Sequence, residues 1–218
     1  STPPQPAAKT AAPAPGKADI SPMRFATSDM PTTHQLWNSG LDFDFISDYL
    51  LQKYIRVEGH KFVSPANEYK AIVISNCKYL PLSTLQLLMN DVKLGGTVIF
   101  AGNLPDSVPG LDDLTNRQSD FQNLMQQILR SRKPVNAEVM AADFGSGHFI
   151  FGNDVNKCCL AANIFREKLF DKGLYCVKRQ DEQGSIYFVV NPDCRHRAVN
   201  AWIPFSAKGQ SAAIYDAM

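Results

Sequence analysis

The chain has 218 residues, 44% of them hydrophobic, with a formal net charge of +1. That length supports one large domain or two small ones. The near-neutral charge argues against a nucleic-acid partner, and the lack of an 18-residue apolar run argues against a membrane span.

Residues 1–17 are rich in Pro and Ala, including Pro3, Pro4, Pro6, Pro13 and Pro15. They cannot bury enough apolar surface to offset their ordering entropy, so a disordered tail is expected. The start, Ser1-Thr-Pro-Pro4, has no signal-peptide core. A removed leader and a fragment of a longer chain both stay open. Residues 18–40 hold Pro22 and Pro31 and show little periodicity.

Regular patterning begins at Leu41. Ile46, Tyr49 and Leu50 share a helical face, with Asp42 or Asp44 placed as N-cap. Arg56–Val63 reads as two short strands around a Glu58-Gly59 turn. Ala71–Ile74 is a continuous apolar run, as expected of a strand covered on both faces. Pro81 opens a helix whose Leu85, Leu88, Met89 and Val92 recur at helical spacing, and Gly95-Gly96 stops it. Thr97–Phe100 is a second buried strand.

The alternation repeats with a stripe of Phe121, Leu124, Met125, Ile128 and Leu129. Gly145-Ser-Gly147 reads as a turn, followed by a third buried strand at His148–Phe151. Asp154 is placed to cap a helix with Val155, Cys158, Cys159, Ala162, Phe165 and Leu169 on its inner face, and Gly173 ends it. Strand–helix–strand alternation with buried strands predicts an α/β domain over 18–173 built on a doubly wound, mostly parallel sheet. Beyond Gly173 the period changes. Leu174–Lys178 and Ser185–Asn191 flank a hairpin turn, and 199–205 alternates like a half-buried strand. Residues 174–218 are therefore expected to begin an antiparallel β-sandwich.

The chemistry-bearing residues are sparse. Five cysteines, at 77, 158, 159, 176 and 194, form no Cys-x-x-Cys pair, and four histidines are scattered, so no metal site is expected. Cys158 and Cys159 read as small hydrophobes; Cys176 and Cys194 flank the hairpin and could pair. Glycoside hydrolysis needs two carboxylates across one sugar. The glutamates, at 58, 68, 138, 167 and 182, make no convincing pair, with Glu167 read on a polar helix face. Asp42, Asp44 and Asp48 do not fit an EF-hand loop. Gly145-Ser-Gly147 is too short for a phosphate cradle and lacks the P-loop Lys.

Four segments in fixed order carry a resemblance: Trp37-Asn-Ser-Gly-Leu-Asp-Phe-Asp-Phe-Ile-Ser-Asp48, Tyr69-Lys-Ala-Ile-Val-Ile-Ser75, Gly95-Gly-Thr-Val-Ile-Phe-Ala-Gly-Asn-Leu-Pro105, and Ser185-Ile-Tyr-Phe-Val-Val-Asn191 with Ile214-Tyr-Asp-Ala-Met218. Over roughly 36–218 the chain resembles the C-terminal half of α-L-rhamnosidases of glycoside hydrolase family 106. The resemblance implies a class I glutamine-amidotransferase-like, flavodoxin-like domain behind a catalytic barrel. It implies that the acid and base that cut sugar belong to that barrel, so no catalytic residue is assigned here. The amidotransferase nucleophile position is vacant, because the turn after Ala101 is Gly102-Asn103-Leu104; Cys77 reads as a loop thiol.

The implied role is a non-catalytic accessory region of a secreted or periplasmic rhamnosidase acting on plant or microbial polysaccharide. Carbohydrate is then the partner, through the parent enzyme, and no cofactor is called for. Trp37, Asp42 and Asp44 would lie beside the sugar site, although N-capping and simple packing explain the same residues. The alternative is a stand-alone structural or carbohydrate-binding module.

Overall fold

A computed structural model describes residues 30–65, 67–180, 184–192, 202–207, 209 and 211–215. The expected tail at 1–17 lies outside them.

The centre is a five-stranded sheet. Its strands are β4 (Ile72–Ser75), β5 (Thr97–Ala101), β6 (Arg132–Pro134), β7 (Val139–Phe144) and β8 (Gly147–Gly152), in the spatial order β4-β5-β8-β7-β6. The three apolar runs found in the sequence are β4, β5 and β8, and they pair in parallel, with Val73 opposite Ile99 and Ile99 opposite Ile150. Such runs have no polar face because helices cover both sides. Helices α3 (Leu82–Lys93) and α4 (Leu114–Arg130) bury Leu85, Leu88, Val92, Phe121 and Ile128 against Val98, Phe100, Phe149 and Phe151. Helices α1 (Met30–Asn38) and α5 (Val155–Ala161) pack on the opposite face against Ile99, Ala101 and Ile150.

The doubly wound parallel sheet is not what forms. After α4 the chain makes no further helical crossover. It lays down β6 and β7 antiparallel to each other, then returns through Gly145-Ser146 into β8, antiparallel to β7. A two-residue turn allows only an antiparallel pair, whereas a parallel one needs a crossover of a dozen residues or more. Gly145 makes this turn possible. Its φ is 61°, and a Cβ there would strike the backbone of Lys93. The sheet is mixed, and the flavodoxin-like and amidotransferase-like expectation falls with it.

The sandwich expectation fails too. β9 (Tyr175–Gln180) and β10 (Ser185–Val190) form the expected hairpin, but it is a two-stranded sheet by itself. Among the described residues of 202–215 there is no strand.

A second small sheet is antiparallel: β1 (Arg56–Glu58), β2 (Lys61–Val63) and β3 (Glu68–Tyr69). Gly59 and His60 both have positive φ, which suits a tight hairpin turn. The helix expected from Leu41 starts later. α2 spans Asp48–Tyr54, and its N-cap is Ser47, whose Oγ accepts from Leu50 N at 3.3 Å. The α5 cap is as expected: Asp154 accepts from Asn156 N and Lys157 N. That helix ends at Ala161, and Phe165 beyond it is exposed.

Candidate functional site

Residues 41–47 carry no helix. Leu41 and Phe43 pack toward the core on the α1/α5 side, while Asp42 and Asp44 between them stay exposed. This alternation is that of extended chain. Asp42 and Asp44 are therefore not helix caps. They point to two different neighbours.

Asp44 Oδ2 accepts a 2.6 Å hydrogen bond from Tyr69 Oη on β3. The bond to Asp44 raises the phenol above its ordinary pKa. Asp42 faces the hairpin side, near Glu167 and Lys178. Although the residue is exposed as a whole, partial enclosure of its carboxyl first, then the Glu167 charge, raise that group above the usual range, with Lys178 opposing.

Glu167 is the centre of this corner. It is only 8% exposed. It lies in the segment between α5 and a 3-10 turn (Lys168–Lys172), not on a polar helix face. Its Oε1 accepts from Lys178 Nζ at 3.1 Å, from Tyr187 Oη at 3.0 Å and from Ser206 Oγ. Its Oε2 accepts from Ser206 N at 2.9 Å. Burial pushes the Glu167 carboxyl up, but the bonds from Ser206, Lys178 and Tyr187 outweigh it and hold the group below its ordinary value. Lys178 gains in return. Burial lowers its ammonium, and the bonds to Tyr187 and Glu167 more than reverse this. The hairpin register explains the convergence, since Lys178 and Tyr187 are direct cross-strand partners.

The walls are aromatic. Trp37 is 60% exposed, and its ring lies 6.4 Å from that of Tyr175. Tyr175 meets Phe170 edge-on at 5.2 Å. Gly40, with φ 73°, lets the chain pass Phe170 where a Cβ would collide with the ring. Gly40 O accepts from Glu167 N at 3.3 Å, which ties this corner to the end of α1. The structure thus brings Trp37 and Asp42 to one corner and ties Asp44 to the small sheet beside it.

Residues 25–218 match the α-L-rhamnosidase family of glycoside hydrolases, family 106. The chain belongs to that family. Among solved structures, a rhamnosidase from Novosphingobium sp. PP1Y is similar over 68% of this chain, with a TM-score of 0.54 and 23% identity. At that identity the likeness is one of fold. The chain spans 14% of the length of that rhamnosidase. No curated protein matches the chain.

Glu167, Lys178, Tyr187 and Ser206 form a hydrogen-bonded cluster in this candidate site that sequence reasoning missed. One signal was present. Lys178 and Tyr187 alternate with the outward Val177, Ile186 and Phe188 along the hairpin. Cys158, Cys159 and Cys176 are free thiols, and Cys194, the expected partner of Cys176, lies outside the described residues. Burial pushes Cys158 up to about 11 and Cys159 up to about 12, which suits packing rather than nucleophilic use. Cys77 Sγ bonds to Tyr79 O at 2.9 Å in the loop after β4. Among the described residues no three His, Cys, Asp or Glu side chains gather to hold a metal ion. None of their helices is long and apolar enough to cross a membrane.

Proposed function

We propose that this chain is a non-catalytic accessory region of an α-L-rhamnosidase-type glycoside hydrolase, acting with the rest of the enzyme on plant or microbial polysaccharide. The observation that carries the reading is the state of Glu167. A glycosidase needs one carboxyl that gives up a proton and a second that stays free to attack or to activate water. Glu167 is the buried carboxylate beside Asp42, and both its oxygens are filled by donors. It is held ionised, so it is a poor acid. It is also enclosed, so it is a poor nucleophile. Asp44 is committed to Tyr69. Among the described residues Asp42 is left without a second free carboxylate beside it.

Asp42 and Trp37 still suit a supporting role. An exposed indole offers a flat face for a sugar ring, and a carboxylate beside it accepts from sugar hydroxyls. In this reading Trp37, Asp42 and Asp44 border a sugar held chiefly by other parts of the enzyme, in a secreted or periplasmic setting.

The test is hydrolysis of an aryl α-L-rhamnoside by the purified chain. No chromophore release above the buffer rate is expected. Release that disappears in Asp42→Asn or Glu167→Gln would overturn the reading.

A further inference from the structure

The helix α5 is too short for the sheet face on which it lies. Its seven residues span about 10 Å at 1.5 Å each, whereas the six residues of β8 run about 20 Å. The helix covers the ends of β5 and β8 near Ala101 and Gly152 and stops before their beginnings. The uncovered part of the face is a cavity of about 530 Å³. Thr97, Ala141 and Ile150 floor it, and Ala162 and Asn163, just past α5, close one side. Cavities of this size hold small ligands or short lengths of a longer one.

The charge lining it is one-sided. Lys70, on the approach to β4, and Lys133, on β6, both line the cavity and both are exposed. Among the described residues neither is in an ion pair or a side-chain hydrogen bond. The single lining carboxylate, Asp143, is engaged by His148 Nδ1 at 2.7 Å. Sheet order then sets the spacing. β4 and β6 are the two edges, so four strand separations lie between them, about 19 Å at 4.8 Å each. The two lysines reach the cleft from opposite edges of the sheet, and a ligand with repeated negative charges can meet both.

We propose that this cleft binds an acidic oligosaccharide, with one carboxylate near Lys70, another near Lys133, and sugar rings over the Thr97, Ala141 and Ile150 floor. The mixed floor of small, apolar and hydroxyl side chains suits rings that have both a polar edge and an apolar face. The saccharide part of this assignment rests on the glycoside hydrolase reading above. The anion part rests on the cleft alone.

The experiment is calorimetric titration of the full chain with four probes: an oligouronate of a few units, the monomeric uronate, a neutral oligosaccharide of the same length, and inorganic tripolyphosphate. The oligouronate is expected to bind at least about tenfold more tightly than the other three, and more weakly as salt rises. Lys70→Ala and Lys133→Ala are each expected to weaken it about threefold, and the double variant about tenfold, with unchanged melting midpoints. No oligouronate binding, equal binding of the neutral sugar, or insensitivity to salt and to both substitutions would overturn the proposal. Equal binding of tripolyphosphate would overturn its saccharide part and leave the cleft a general polyanion site. None of these results depends on rhamnoside hydrolysis, so failure here and failure of the accessory-region reading are separable.

Discussion

Two buried carboxylates, one in each half of the molecule, meet opposite fates. Glu167, in the hairpin corner, is 8% exposed and collects donors from Lys178, Tyr187 and Ser206. Asp91, on α3 in the α/β layer, is 7% exposed, and its Oδ2 has no hydrogen-bond partner. Their exposure is nearly equal, yet the first is held below its ordinary pKa and the second is pushed up to about 6 by burial. The difference shows that donors can reverse what burial does to a carboxyl. It also separates the two halves energetically. Apolar burial holds the sheet, whereas an ionised group with its donors joins aromatic packing in the corner.

A third buried carboxylate, placed where no donor can reach it, extends the comparison to its limit. Ile99 is fully buried in the interior strand β5, packed on the α1/α5 side. Ile99→Asp removes a core side chain and leaves an unpaired charge or a protonated acid in a dry interior. The cost is about 4 kcal/mol or more, a large share of ordinary domain stability. The variant is expected to be insoluble or unfolded at 25 °C by circular dichroism. A cooperative melt like that of the wild type would mean that β5 is not central.

Glu167→Ala breaks the opposite case by removing the acceptor and keeping the donors. Lys178 then becomes a partly buried cation without its counterion, at a cost of about 3 kcal/mol. The loss should be local. Amide exchange in β9 and β10 is expected to rise sharply, while β5 and β8 keep their protection. Equal loss in both regions would show that the corner and the sheet are one cooperative unit. Acid should mimic the substitution. The folded pKa of Glu167 is lowered, so its contribution is full above the unfolded value, near 4.5, and is lost as pH falls through the lower folded value.

The two halves also differed in how far they could be read from sequence. Leu85, Leu88, Met89 and Val92 announced α3, and the apolar runs of β4, β5 and β8 announced buried strands, because period and composition are local signals. β7 was missed. Val139-Met-Ala-Ala-Asp-Phe144 carries two alanines and an exposed Asp143, and its pairing with β8 and β6 makes it a strand. With β6 unread as well, these omissions turned a mixed sheet into a parallel one. Asp42 and Asp44 looked like caps because a helix does begin nearby, at Asp48. Glu167 was illegible for a different reason. Its partners lie 11, 20 and 39 residues further along the chain, and no periodicity encodes them.

The mildest probe is Asp91→Asn, and its value lies in its sign. The folded pKa of Asp91, about 6, stands above the ordinary 3.8. Between those values the folded chain holds a proton that the unfolded chain has released. Stability therefore falls as pH rises from about 4 to about 6 and stays low above it, the reverse of the Glu167 trend. A gap of about two units corresponds to roughly 2–3 kcal/mol over that span. Asparagine cannot ionise, so the variant should lose this slope. It should match the wild type or fall slightly below it near pH 4, where the aspartic acid is neutral too. At pH 8 it should exceed the wild type by about 1 kcal/mol, the remainder being offset by an amide that is itself short of partners. Urea melts of both proteins at pH 4, 6 and 8 decide the matter. If the wild type gains stability from pH 4 to pH 8 and the variant gains equally, Asp91 is already ionised at no cost, and a donor to its Oδ2 must be present in solution.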